Sequence, residues 1–337
     1  MIDLSTHYVG IPLKNPLVPS ASPLSRSLDS ALALEDAGAA ALVLHSLFEE
    51  ELRLEDAMLD RFILNADLGH GEASGFLPDH DNFRSGLDRY LDHLQRLKSR
   101  LGIPVIASLN GVSRSGWIDL GRELEAAGAD ALELNVYYVA ADANASGAAV
   151  EARYLDLLGD LRRVVGCPII MKLSPFFSSL PHFVAQLEAG GANGVALFNR
   201  FYQPTIDLDT LTLDEHLHLS TPDEAHLRVR WLAILSGRTG LTLAATGGVH
   251  SAAEALQMLL AGADVVHLAS ALLQRGPAHL ATVLRDMVAW MEAREIESVT
   301  QMKGAMSQRN LPDPAMIARA SYLRVLDSYS PAGGVAG

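Results

Sequence analysis

The stretch "EAAGADALELN", Glu125–Asn135, decides the fold. Its first residues suit the end of a helix. Gly128 follows where a left-handed cap is needed, and a short apolar segment comes after a two-residue turn. The same pattern recurs as "EDAGAAALVLHS" from Glu35, "EAGGANGVALFN" from Glu188 and "LAGADVVHLAS" from Leu260. Each copy reads as a helix running into a buried strand, the pattern of a parallel sheet covered by helices.

Further strands are expected in "NPLVPSA" (Asn15–Ala21), "IPVIASLNG" (Ile103–Gly111), "CPIIMKLSP" (Cys167–Pro175) and "LTLAATGG" (Leu241–Gly248). The eight cores lie near Leu17, Val43, Ile106, Leu132, Ile170, Ala196, Leu243 and Val266. Helical segments such as "WIDLGRELEAAG" and "SAAEALQMLLAG" separate most of them. Eight such units predict a TIM (β/α)8 barrel, with a doubly wound open sheet as the alternative. Residues 1–337 are expected to form one domain, its core near 15–290, with a C-terminal helix and tail over 291–337. One long insertion follows strand two and contains "NADLGHGEASGFLPDHDNF"; another follows strand six, "NRFYQPTIDLDTLTLDEHLHLSTPDE", with room for a small hairpin. Long insertions in barrels shape the mouth of the site.

The formal net charge of −14 argues against a nucleic-acid or anionic-membrane binder, which needs a basic face. The single cysteine, Cys167, forms no intrachain disulfide and reads as a buried strand residue. No apolar stretch is long enough for a signal peptide or a membrane span, so a soluble cytoplasmic protein is expected.

Barrel chemistry collects at the C-terminal strand ends. There the sequence places Ser20 and Ala21, His45 and Ser46, Asn110, Asn135 with Tyr137 and Tyr138, Lys172, Asn199 and Arg200, Gly247 and Gly248, and Ala269 and Ser270. The turn in "ATGGVHSAAEAL" brings backbone amides and a helix start toward an anion, and Ser270 suggests the same after strand eight. A plain turn capped by Ser251 is the simpler reading of that segment. Lys172 closes an apolar strand and calls for an anionic partner. It suits either a Schiff base or the neutralisation of a reduced cofactor. Three strand-end asparagines suit a flat heterocycle with an imide edge, and together with a phosphate cup they point to flavin mononucleotide (FMN).

These residues resemble the dihydroorotate dehydrogenase family, FMN-dependent TIM barrels of pyrimidine biosynthesis. The resemblance runs from about Asn15 to Pro277. "NPLVPSAS" is similar to the first-strand motif and "MKLSP" to the flavin-lysine strand; "ATGGVHSAAEALQMLLAGADVVHLASALLQRGP" is similar to the phosphate-binding end throughout. The resemblance implies FMN contacts from Ser20, Ala21, Ser46, Asn110, Asn135 and Lys172. It implies phosphate contacts from Gly247, Gly248, Ala269 and Ser270. Substrate contacts would come from Glu72, Asn135, Asn199 and Arg200. Dihydroorotate oxidation at a CH–CH bond, a homodimer and an electron acceptor on a separate protein are the corresponding expectations for activity and partners.

The chain departs from the family where substrate chemistry is expected. "LNVYYVA" stands in place of the family's Asn-x-Ser-Cys/Ser-Pro-Asn loop, so the base position holds Tyr138 and the second asparagine position holds Ala140. The family's lysine after strand two has no counterpart in "LVLHSLF". Tyr138, His45 and Glu72 are the candidate bases. A phenol starts from a pKa of ~10 and needs a large downward shift, whereas an imidazole needs little. Glu72 would also oppose an anionic substrate unless Arg200 compensates. The expectation is an intact FMN half beside an altered substrate half. The alternatives are another cyclic amide or enone-like substrate, a non-catalytic electron-transfer flavoprotein, and a flavin-free Lys172 aldolase.

Overall fold

The computed structural model describes residues 2–55, 57–58, 85–111, 113–200, 204–214 and 216–318. Within them, eight parallel strands form the expected barrel: β3 (Leu17–Pro19), β4 (Leu42–Phe48), β5 (Val105–Asn110), β6 (Ala131–Asn135), β7 (Ile169–Leu173), β8 (Gly194–Leu197), β11 (Thr242–Thr246) and β12 (Val265–Leu268). The ladder runs continuously from β4 back through β12 to β3. Ala40 N donates to Leu17 O at 3.1 Å and draws β3 toward β4. All eight strand cores expected from sequence lie in these strands, and the TIM barrel reading holds.

The repeated helix-to-strand turn has one construction. Helix α3 (Arg114–Ala126) ends at Ala127, and Gly128 takes φ +97°. Its N–H donates to Glu125 O, and Ala129 N donates to Leu124 O. Asp130 N then bonds Val105 O, which enters β6 beside β5. Gly38, Gly191 and Gly262 also have positive φ at the corresponding turns, which is why glycine recurs there.

Strand alternation sorts the side chains. On β6, Leu132 and Leu134 join the outer core against the helices, while Ala131 faces the barrel interior. The interior carries an apolar layer that includes Val18, Val43, Ile106, Ala131, Ile170, Ala244 and Val265. Two residues further along their strands come Ser108, Glu133, Lys172, Thr246 and His267, all buried and all polar. The barrel therefore changes from apolar to polar one step below its C-terminal mouth.

Two features lay outside the sequence expectations. A short antiparallel hairpin, β1 (Thr6–Tyr8) and β2 (Ile11–Leu13), contributes Tyr8, Val9 and Leu13 to the interior cluster. Strand β4 shifts register between Val43 and Ser46. After β8 the chain forms the hairpin β9 (Thr205–Asp207) and β10 (Thr212–Asp214). Most of the insertion after β4, Glu72 included, lies outside the described residues, as does the tail beyond 318.

Candidate active site

A cavity opens at the C-terminal mouth of the barrel, with about 920 Å³ of empty space partly shared with solvent. Ser20, Ala21, Ser46, Asn135, Lys172, Asn199, Arg200, Gly247, Gly248, Ala269 and Ser270 all line it. They come from seven of the eight barrel strands or the segments that follow them, and the sequence expectation for these positions converges on one place.

Lys172 is buried, and its Nζ lies 3.1 Å from Glu133 Oε1 on the neighbouring strand. His267 Nδ1 stands 3.8 Å from the other carboxylate oxygen. Neither His267 nitrogen, nor Glu133 Oε2, nor the Tyr8 hydroxyl has a hydrogen-bond partner among the described residues. Burial lowers the His267 pKa to about 4, with Glu133 opposing that shift and Lys172 adding to it. The imidazole is therefore neutral near pH 7. Burial, reinforced by Glu133, pushes the Tyr8 phenol well above its ordinary value.

Above this layer, Asn199 Nδ2 donates to Asn135 Oδ1, joining two of the three expected amides. The third, Asn110, lines a neighbouring cavity with Trp117, Tyr138, Arg153 and Tyr154. Tyr138 carries the Arg153 guanidinium 4.5 Å above its ring centre, a cation–π arrangement. Tyr138 and Asn110 are thus placed together, beside the cavity that holds Lys172.

His45 is not among the residues lining the mouth cavity. Its ring lies 4.9 Å from Tyr90 and 6.0 Å from His93, both on α2 (Gly86–Arg100), and the β4 register shift accompanies this placement. Burial, then Arg26 and His93, lowers its pKa to about 4. His45 thus packs against α2 and stands apart from the mouth cavity. Ser46 recovers the inward direction, with its Oγ 2.8 Å from Ser108 Oγ.

At the other end, Gly247 and Gly248 have φ of +98° and +80°. A Cβ on Gly247 would lie 2.8 Å from Arg228 Nη2, and one on Gly248 would lie 2.4 Å from Ala225 N. Only glycines allow this turn to sit so close to the start of α6 (Ala225–Leu235). Ser251 caps α7 (Ala252–Ala261) through a capping box with Glu254. Ser220 Oγ donates to Ser270 Oγ at 2.8 Å, and His250 Nε2 lies 3.3 Å from that same Ser220 oxygen. A glycine cradle, buried lysine and paired amides in one cleft fit a cofactor with a phosphate at one end and a polar heterocycle at the other.

The sequence pattern of the dihydroorotate dehydrogenase family matches residues 81–291. The chain belongs to the dihydroorotate dehydrogenase family. Its members are FMN-dependent oxidoreductases acting on CH–CH groups, and the cleft is consistent with that cofactor. A relative from Thermoplasma acidophilum, dihydroorotate dehydrogenase B (NAD(+)) catalytic subunit, is 26% identical over 317 residues, covering 90% of this chain and 99% of its own. The Shouchella clausii protein of the same name is 24% identical over 60% of this chain and 68% of its own. Dihydroorotate dehydrogenase A (fumarate) of Lactobacillus delbrueckii subsp. bulgaricus is 26% identical over 65% of this chain and 73% of its own.

Sequence reading missed Glu133, His267, Ser220 and Arg228 at this site. Glu133 and His267 each interrupt an apolar strand at an inward position, a signal available in "ALELN" and "DVVHLAS". Ser220 and Arg228 follow the second insertion, and no local pattern marks their approach to the cavity. Among the described residues no helix is long and apolar enough to cross a membrane.

Proposed function

We propose that this chain is an FMN-dependent CH–CH oxidoreductase whose cofactor half follows its family and whose substrate half has been altered. The observation that carries this reading is the separation of Lys172 from Tyr138. Lys172 shares its cavity with the asparagine pair and the Gly247–Gly248 turn, whereas Tyr138 lines the next cavity beneath Arg153.

On this reading, Ser20, Ala21, Ser46, Asn135 and Lys172 hold the flavin ring and its side chain. The amides around Gly247, Gly248, Ala269 and Ser270 hold its phosphate. Asn110 supports the mouth from the neighbouring cavity. FMN, when bound, supplies the two-electron acceptor for the CH–CH bond. Lys172, anchored by Glu133, directs N–H donors toward the cofactor's anionic edge. Asn199 and Arg200 orient a planar, amide-bearing substrate, with Glu72 a further candidate. His45, packed against α2 outside the mouth cavity, is not assigned the base.

The electron acceptor is proposed to be a separate protein, and the working form a cytoplasmic homodimer. Relatives named as a catalytic subunit and as fumarate enzymes favour a second reading, in which dihydroorotate itself is oxidised to orotate. Anaerobic mixing of the yellow protein with dihydroorotate distinguishes the two, read as loss of the flavin band near ~450 nm. Slow or absent bleaching is expected. Rapid, stoichiometric bleaching would establish dihydroorotate as substrate and reject the altered-site reading.

A further inference from the structure

We propose that Arg228 makes the phosphate end of the cavity charge-specific, with Glu224 as its internal competitor. The inference rests on the FMN reading and extends it to a side chain outside the glycine motif.

Arg228 lies on the first turn of α6 and is 6% exposed. Its Nε donates to Thr246 O at 3.0 Å and its Nη1 to Glu224 O at 2.8 Å. Those two carbonyls fix the plane of the guanidinium. A guanidinium carries five N–H donors, so this anchoring leaves capacity at Nη2. That atom is the one a Cβ on Gly247 would strike. The cation is therefore held against the turn whose backbone amides are assigned to the phosphate.

Its counter-charge is weak. Glu224 Oε2 lies 3.9 Å from Arg228 Nη2, and Glu224 Oε1 lies 3.5 Å from Arg200 Nη1. One half-exposed carboxylate thus serves two guanidiniums. Among the described residues lining the cavity, Glu224 is the one carboxylate beside Arg200 and Arg228, while Glu254 is turned to Ser251 and the His250 N–H in capping α7. Burial lowers the Arg228 pKa, which marks the desolvation that a second anion would offset. The end of the cavity consequently holds a local positive excess in a chain of formal charge −14. A guanidinium suits a phosphate because its planar N–H groups match adjacent phosphate oxygens. Glu224 must yield part of its hold on Arg228 when such a group arrives.

The test compares FMN with riboflavin, which lacks the phosphate, on the full chain freed of flavin. Binding is read by quenching of flavin fluorescence. The unsubstituted chain should hold FMN well above riboflavin. Arg228→Met should weaken FMN by about 10- to 100-fold while leaving riboflavin within about twofold, because riboflavin offers the guanidinium no anion to lose. Glu224→Gln should tighten FMN by a few-fold without changing riboflavin. Parallel weakening of both flavins in Arg228→Met would assign the residue to packing and overturn the proposal. If Arg228→Met does not fold, Arg228→Lys and Glu224→Gln decide it: an unchanged FMN-to-riboflavin ratio in both overturns the proposal. Failure of the unsubstituted chain to bind either flavin would instead reject the cofactor reading itself.

Discussion

Lys172 Nζ and Glu133 Oε1 meet at 3.1 Å between adjacent barrel strands, with Glu133 fully buried. The pair joins two roles, since Glu133 holds the lysine and the lysine neutralises the carboxylate. Removing one partner of a buried ion pair costs about 3–5 kcal/mol. Lys172→Met and Glu133→Gln should each lower stability toward denaturant by an amount of that order. Lys172→Met/Glu133→Leu should recover much of the stability but none of the flavin reduction. A double-mutant cycle combining urea unfolding with anaerobic reduction separates the lysine's structural role from its chemical one.

Tyr138 supports Arg153 by its ring face, a contact that does not need the hydroxyl. Tyr138→Phe should therefore retain flavin reduction by the true substrate within about twofold, since only an interaction made in the transition state would lower kcat and kcat/KM together. A loss of several hundredfold, with a changed pH profile, would identify the phenol as the proton acceptor.

Gly248→Ala should disrupt the cofactor end. The added carbon would lie 2.4 Å from Ala225 N, on a backbone at φ +80°. Left-handed strain alone costs on the order of 1–3 kcal/mol, and the clash with main chain adds to it. Lower flavin content after purification, with a lower thermal midpoint, is the expected outcome.

His267 gives the protein a pH signature. Its pKa falls from an ordinary 6.5 to about 4 on burial. The unfolded chain therefore binds the additional proton first as pH falls. The stability due to the neutral ring is present above about pH 6.5 and is lost progressively toward pH 4, by on the order of 3 kcal/mol in all. His45 shifts in the same direction and adds a smaller, solvent-screened share. Urea midpoints measured from pH 7 to pH 4 should fall, and His267→Phe should flatten part of that fall. A variant with an unchanged slope would assign the acid sensitivity elsewhere.

The barrel was legible because its signal is local and repeated. The Gly128 turn and its three counterparts need left-handed backbone, and each is followed at once by an apolar strand. The Gly247–Gly248 turn was legible for the same reason, as the glycines and the Ser251 cap lie close together in the chain. The direction of His45 was not legible because the shift between Val43 and Ser46 changes strand parity, and alternation alone does not reveal a bulge. Arg228 reaches Thr246 across eighteen residues, a contact set by how α6 docks. Tyr138 was placed correctly after β6, but its partner Arg153 belongs to α4 (Gly147–Arg162), so the direction of its ring is a tertiary property.

The β1–β2 hairpin acts as a stopper at the end of the barrel opposite the mouth. Thr6 Oγ1 reaches Asp264 O at 2.9 Å, 258 residues later, and Val9 N reaches Thr242 Oγ1 at 3.1 Å, 233 residues later. Tyr8 completes the seal with its ring edge-on to His267, their centres 5.6 Å apart. With the apolar layer above it, the hairpin closes the barrel beneath the mouth cavity. The stopper also precedes its socket by more than two hundred residues in the chain, so the vessel can be sealed only after its last staves are in place.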